Sequence, residues 1–361
     1  MKERAAGGPK LLGVISLEPW DEVWRRNQHL VSELVGQGLV GQVRFVAPAA
    51  KLRHVASAAP IPGVQVLTPH LIVPIRHGGR RLVAAEVAHL MRGVDLLWIN
   101  DAAVGVHCLR SGQPAVYDVT DDWREADLNT EDRRTIIDAE SVLATNASTV
   151  VCSQVLADRW QSRYGVSPTV VQNGVDLEAH RLAKPMTLPG RAPHAVYVGT
   201  LHRERLDIRL LVELAGAPQL GQVDLVGPDC LDDESRRLLL ATGKVVLHGP
   251  VAYNAVPGVM AGADVLLCPH LVDDFTLSLD AIKSFEYLAT NRPVVATPSS
   301  GFQLLAGTPG LAVVSGSKFV DAAVRAVERP GERWSGRADE AGWPARARRF
   351  ATALTAAVSH A

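Results

Sequence analysis

The chain has 361 residues, more than one hydrophobic core ordinarily serves, so two domains are expected. Hydrophobic residues make up 47% of it and charged residues 21%, a globular balance that argues against disorder. The formal net charge is -1, so no global field favours nucleic acid, and a nucleic-acid partner is not expected. Cys108, Cys152, Cys230 and Cys268 stand far apart without a CxxC pair. That spacing points away from a zinc or redox site and fits the reduced thiols of a cytoplasmic protein. Residues 1–10 are polar with no long apolar run after them, and no stretch approaches the ~20 apolar residues that span a bilayer, so neither a secretory signal nor a membrane span is expected.

Short apolar runs begin at Leu11–Leu17 and recur at Val43–Ala47, Val64–Leu67, Asp95–Ile99, Ala115–Val119, Thr149–Cys152 and Thr169–Val171. They are too short for helices and lack strict alternation, as do strands covered on both faces of a parallel sheet. Helical patterns at Glu22–Val35 and Glu131–Thr145 supply crossovers of the βαβ kind. Ala183–Pro193, with three prolines and a glycine, reads as a linker. Strand-like runs then resume at Ala195–Val198, Gln222–Val226, Val245–Leu247, Asp264–Cys268, Pro293–Thr297 and Leu311–Val314. Helical patterns alternate with them at Ile208–Leu214, Asp233–Ala241, Ile282–Thr290 and Ser317–Val327. Gly342–Val358, rich in Ala and Arg, reads as a terminal helix with Arg346, Arg348 and Arg349 on a solvated face. The expectation is an α/β protein with two Rossmann-like, doubly wound parallel-sheet domains: residues 1–183, a linker at 184–193, residues 194–340, and a C-terminal helix at 341–361. Ligands of such sheets bind at the carboxyl ends of strands, and two sheets facing one another would place the site in an interdomain cleft.

Asp280–Thr297, DAIKSFEYLATNRPVVAT, carries the strongest chemical signal. A helix starting near Ala281 and ending near Asn291 places Lys283 and Glu286 on one face close to its N-terminus. Free N–H groups there suit a pyrophosphate, Lys283 adds a full charge, and the Glu286 carboxylate can accept from two vicinal ribose hydroxyls. An exposed salt pair is the competing account of the same spacing. KSFEYLATNRPVVAT closely resembles the donor-site helix and following strand of GT-B glycosyltransferases, in particular the GT4-like bacterial group. The resemblance implies that Glu286 holds the donor ribose and that Lys283 lies near the phosphates. It also implies a glycosyltransferase family 1 domain and a C-terminal helix that crosses back to the first domain.

Further segments follow the same order. VVQNGVDLEAH (Val170–His180) resembles the family's NGVD turn, with Asn173 and Gly174 read as turn residues. AVYVGTLHRERLDIRLLVELA (Ala195–Ala215) resembles the opening strand, loop and helix of the donor domain. In its loop Gly199 lets backbone approach a phosphate, and Arg203 or Arg205 can pair with it bidentately. HGPVAYNAVPGVMAGADVLLCPH (His248–His270) fits the nucleobase side, with backbone near Val251 expected to meet the base.

In the first half, PWDEVWRRNQHLVSEL and VYDVTDDW resemble the group near teichuronic-acid biosynthesis glycosyltransferases. Arg25 and Arg26 are candidates for contact with donor phosphate or an anionic acceptor, and Trp20 and Trp24 for stacking on a sugar face, with packing the alternative for the tryptophans. Asp121 and Asp122, at the end of a strand-like run, and His107 are candidate catalytic bases, with turn capping and packing as their alternatives. One departure from the family pattern stands out. Many retaining members carry a first glutamate eight residues before the ribose-binding one, and Ser278 occupies that position here, with Asp273 and Asp274 nearby.

The expected function is transfer of a hexosyl unit from a UDP or GDP sugar to a glycan, lipid-linked or small-molecule hydroxyl, as in polysaccharide biosynthesis. It is expected to proceed without a metal or other cofactor, in the cytoplasm or at the inner membrane face. A nucleotide-sugar epimerase on the same fold and a non-enzymatic sugar-binding protein are the alternatives.

Overall fold

The computed structural model describes residues 8–21, 24–51, 61–74, 78–126, 128–280, 282–329 and 341–359. The chain forms two compact units, one comprising Met1–Gly174 and Trp343–Ala361, the other Val175–Gly342. The change of unit falls at Gly174, ahead of the proline-bearing stretch 183–193, and the helix Trp343–Ser359 belongs to the first unit.

The first unit holds seven parallel strands. They are β1 (Leu11–Ile15), β2 (Gln42–Val46), β3 (Val64–Leu67), β4 (Leu96–Ile99), β5 (Ala115–Val119), β6 (Ser148–Val151) and β7 (Thr169–Val170), in spatial order β3-β2-β1-β4-β5-β6-β7. Every residue of β4 and β5 is buried, the state that removes hydrophobic–polar alternation, with Asp118 the charged member of β5. One face packs Leu12, Leu30, Phe45 and Trp98 against Trp343, Phe350 and Leu354 of the terminal helix. The other packs Val87, Leu97, Tyr117, Leu143 and Trp160.

The terminal helix is tied down by specific contacts. Trp98 meets Phe350 at 4.5 Å between ring centroids, and His29 stacks on Trp343 at 4.5 Å with an interplanar angle of 6°. Gly174 has no room for a side chain, since a Cβ there would lie 2.7 Å from the Trp343 ring. The solvated face expected for Arg346 is corrected: it is buried, and its Nε donates to the Asn173 carbonyl at 3.2 Å.

The helix expected from Glu22 begins at Arg26, while Glu22 and Val23 themselves lie outside the described residues. Arg25 is extended, and its N–H donates to Gln28 Oε1 at 2.8 Å, which starts the helix one residue later. Helices Gly79–Leu90 and Gln154–Tyr164 were not anticipated. The second is bracketed by the Ser153 hydroxyl, accepting from Leu156 N–H at 3.2 Å, and by Gly165 at φ +70°.

The main sheet of the second unit has six parallel strands, and Leu201–His202 pairs with Asp229–Cys230 in a separate two-stranded sheet. The six are β8 (His194–Val198), β9 (Gln222–Val226), β10 (Val245–Gly249), β11 (Val265–Cys268), β12 (Val294–Ala296) and β13 (Leu311–Val313), in order β10-β9-β8-β11-β12-β13. Apolar clusters cover both faces, one around Leu211, Leu225 and Phe319, the other around Met260, Tyr287 and Phe302. Helix Ile282–Ala289 stops where Asn291 takes a left-handed φ of +56°, a conformation asparagine tolerates well, and β12 follows.

Candidate donor site

In the second sheet the strand order reverses between the neighbours β8 and β11. Loops leaving the carboxyl ends of two such strands diverge and open a crevice between them. From β8 the chain leaves through Gly199, whose φ of +150° suits glycine, and whose N–H donates to Val226 O at 2.8 Å. Gly227, at the end of β9, packs so closely that a Cβ there would lie 2.2 Å from Gly199 O.

Helix Ile282–Ala289 is fastened to β8 by a tyrosine of its own motif, because the Tyr287 hydroxyl accepts from Val198 N–H at 3.0 Å. This fastening brings Lys283 to the loop. Its ammonium lies 5.6 Å from the Tyr197 ring centroid, and a Cβ on Gly199 would fall 2.4 Å from its Cε. Burial lowers the Lys283 pKa, and Arg205 pushes the same way against Cys268 and Glu286. The Arg205 guanidinium lies 5.4 Å from the Phe275 ring centroid. The buried His270 is pushed down to about 3 by burial first, then by Lys283, Arg205 and His202. Basic side chains are thus concentrated at one strand end, where each disfavours the charge of the next, an arrangement that suits a polyanion.

The remaining donor candidates fall around this core. Glu286 is half-buried on the same helix, and it acts with Asp176 to raise the half-buried Tyr253 hydroxyl, whose main perturbation is burial. Arg203 is exposed at the rim, 3.7 Å from Asp232. Ser278 is fully buried and donates to Phe275 O at 2.6 Å, so a short capped helix occupies the place of the family's first glutamate. Asp273 caps that helix, accepting from Thr276 N–H at 2.7 Å. Ala281, the expected helix start, lies outside the described residues.

Among the first-unit candidates, Arg26 and Asp122 need correction. Arg26 does not present a guanidinium for phosphate. It is buried, paired at both forks with the fully buried Asp118 at 2.9 and 3.0 Å, and donates to Asn173 at 3.2 Å. Arg25 pairs with Glu18 at 3.2 Å and Asp21 at 3.0 Å. Trp24 packs edge-on against Trp20 and His29. Asp122 is buried between Arg159 and Arg163 at 2.7 to 2.9 Å, and although burial raises its pKa, these partners hold it below the usual carboxylate range. A carboxylate so held is a weak base. His107 is exposed on a single 3-10 turn. Asp121, half-buried and receiving the Thr120 hydroxyl at 3.1 Å, remains the candidate base.

Sequence reasoning missed Tyr197 and His270, and also Glu140, whose buried carboxyl receives the hydroxyls of Tyr117 at 3.2 Å and Tyr164 at 3.3 Å. Burial pushes Glu140 up to about 7, with Asp122 adding to it and the two tyrosines and Arg124 opposing. Its ordinary value is 4.5, so between there and about 7 folding takes up a proton and stability falls as pH rises. At about 1.4 kcal/mol per pH unit the loss reaches roughly 3 kcal/mol and is complete above about pH 7. Glu140→Gln should therefore gain thermal stability over the parent as pH is raised from about 5 to about 8. Melting curves that shift in parallel would contradict this.

A cleft of about 740 Å³ in the first unit is lined by Pro114, Ala115 and Ser148, at the amino ends of β5 and β6. That is the opposite end of the sheet from where parallel-sheet ligands bind.

Comparison with known proteins bears on this geometry. Residues 192–329 match the family model for glycosyl transferases group 1. Strand β8, the loop after it and helix Ile282–Ala289 all fall within the matched residues. A putative teichuronic acid biosynthesis glycosyltransferase, TuaH, of Bacillus subtilis (strain 168) is 28% identical over 205 residues, covering 52% of this chain and 51% of that protein. The chain thus matches about half the length of its curated relative.

Similar solved structures extend over nearly the whole chain. A sucrose-phosphate synthase from Thermosynechococcus elongatus aligns with a TM-score of 0.71 at 18% identity, covering 97% of this chain and 94% of that one. Anabaena HepE in complex with UDP and glucose aligns with a TM-score of 0.66 at 16% identity, covering 97% and 98%. WaaG, a glycosyltransferase of lipopolysaccharide biosynthesis, aligns with a TM-score of 0.64 at 15% identity, covering 94% and 95%. The fold is GT-B, as in these structures, and the residues matched by the family model lie within the second unit. Among the described residues no helix is long and apolar enough to cross a membrane.

Proposed function

We propose that this protein transfers a sugar from a nucleoside diphosphate sugar to an acceptor hydroxyl. The observation that carries the reading is the convergence of Lys283 and Arg205 on the glycine-lined mouth between β8 and β11, within the group 1 glycosyltransferase domain. In the reaction the anomeric C–O bond breaks and the diphosphate takes the electron pair. The acceptor oxygen bonds to the anomeric carbon and gives its proton to a base, for which Asp121 is our candidate. Charge developing on the diphosphate is met by Lys283 and Arg205, with Gly199 allowing close approach. We assign this electrostatic role to the basic side chains rather than to a metal ion. Arg203 serves the rim, and Ser278 lies beneath the site.

The Glu286 carboxylate accepts from the ribose hydroxyls. UDP is the first nucleotide to try, because HepE is described with UDP and with UDP-glucose. The acceptor is a glycan, lipid-linked or small-molecule hydroxyl, and the four free cysteines support a cytoplasmic setting. Glu286→Gln should weaken UDP or GDP about tenfold by calorimetry, from hydrogen bonds to a charged group, while leaving 2′,3′-dideoxy analogues nearly unaffected. Equal loss for both nucleotides would remove Glu286 from the ribose. Binding followed by acceptor-independent sugar conversion would favour an epimerase instead.

A further inference from the structure

We propose that Tyr197 and His270 are positioning residues for the diphosphate, a phenol–imidazole pair that holds Lys283 and the loop after Gly199 in place. This rests on the donor-site reading above and adds a role for two residues outside the motif.

The Tyr197 ring is buried beneath the Lys283 ammonium, with Nζ 5.6 Å from its centroid. An aromatic face attracts a cation through its quadrupole and uses none of the ammonium's N–H donors, whereas a carboxylate would accept from them and compete with phosphate oxygens. The absence of a side chain at Gly199 makes room for this stack.

The ring is fixed through its hydroxyl, which lies 3.3 Å from Thr200 O and 3.3 Å from His270 Nε2. A carbonyl only accepts, so the hydroxyl donates to Thr200 O and accepts from Nε2–H. The chain of bonds therefore runs from imidazole to phenol to the backbone of the loop. It also defines the tautomer, because a neutral ring protonated on Nε2 carries its lone pair on Nδ1. His270 stays uncharged at neutral pH, since burial and the neighbouring Lys283, Arg205 and His202 push it down to about 3.

Its backbone is anchored on both sides. Thr297 Oγ1 donates to His270 O at 2.7 Å, and Leu271 N–H donates to Arg205 O at 2.8 Å. A bridge between Leu206 and His270 joins the β8 loop to the β11 loop. Two loops at one switch point are thereby locked in register, with the imidazole–phenol chain between them.

The test is calorimetry with whichever of UDP, GDP, dTDP and ADP the parent binds most tightly, alongside the matching nucleoside. Tyr197→Leu should weaken the diphosphate by about tenfold or more while the nucleoside changes less than about twofold. Tyr197→Phe keeps the ring and loses the hydroxyl, so it should fall between parent and Tyr197→Leu. His270→Leu should resemble Tyr197→Phe, and His270→Gln, whose amide can donate to the phenol, should restore binding toward the parent. Diphosphate affinity of the parent should show no step near the ordinary histidine range that His270→Gln removes. The proposal is overturned if Tyr197→Leu binds the diphosphate within about twofold of the parent, or if nucleoside and diphosphate weaken equally. A parent that binds none of the four diphosphates overturns the donor-site reading, and this inference with it.

Discussion

Lys283→Ala is expected to lower nucleoside diphosphate affinity and any sugar-transfer rate by roughly 100-fold or more, about 3 kcal/mol, while the protein stays folded. The size follows from where the ammonium sits. It is half-buried at the switch point between β8 and β11, over the Tyr197 ring and beside a glycine that admits it. A charge in such a place interacts with a bound anion through less water than one on a surface does, so its removal is felt more strongly. Folding should be little affected, because burial disfavours the ammonium in the parent, with Arg205 adding to that effect against Cys268 and Glu286. Lys283→Met retains the aliphatic stem and separates loss of charge from loss of packing. The measurements are calorimetry with UDP and GDP and a thermal melt of each variant. Binding by both variants that matches the parent would remove the phosphate role from this helix.

Asp118→Ala should destabilise the first unit by about 3–5 kcal/mol, the largest stability effect expected outside the apolar core. Asp118 is fully buried on β5 and holds both forks of Arg26, which is itself buried on the first turn of its helix. Removing the carboxylate leaves a guanidinium with Asn173 as a remaining partner and with no opposing charge from Asp118. Replacing both members with apolar side chains, Arg26→Met with Asp118→Leu, should recover most of the loss, to within about 1 kcal/mol. Denaturant unfolding followed by tryptophan fluorescence reads the effect, with Trp98 and Trp160 buried in this unit. A single variant as stable as the parent would show that the pair adds nothing to the fold. A double variant no better than the single would show that its charge balance is not what matters.

The strands were legible because their physical requirement is local. A strand of a parallel sheet reads as a short run rich in apolar residues, and β3, β5 and β9 coincide with such runs to the residue, although Gln65 of β3 is exposed and Asp118 and Asp224 stand inside the other two. Helix Ile282–Ala289 was legible for a different reason, since Lys283, Glu286 and Tyr287 fall on a single stretch with a recognisable turn and strand after it. Helix Gln154–Tyr164 carried readable end signals in Ser153 and Gly165, but its polar face dilutes the periodicity between them.

Pairs joined across long separations were not legible. Nothing near Arg26 in the chain announces Asp118, and nothing near Asp122 announces that Arg159 and Arg163 will close on it. A run of carboxylates at a strand end reads the same whether its members meet substrate or arginine. Tyr197 and His270 were hidden for the same reason, since a tyrosine inside an apolar strand looks like core until its hydroxyl is seen against an imidazole 73 positions away.

The order of short apolar runs and amphipathic stretches was enough to give the α/β class and two parallel sheets. The resemblance carried by the run from Lys283 to Thr297 suggested a nucleotide-sugar site, which the spacing of Lys283 and Glu286 alone does not distinguish from an exposed salt pair. The fold class depends on residues close in the chain, where spacing says which side chains share a face. The strand order that puts β8 beside β11, the pairing that turns Arg26 and Asp122 inward, and the stack of Lys283 on Tyr197 were decided only on folding. Each is a contact between distant segments, and its partner is chosen by how the sheets wind and which buried charges must be matched.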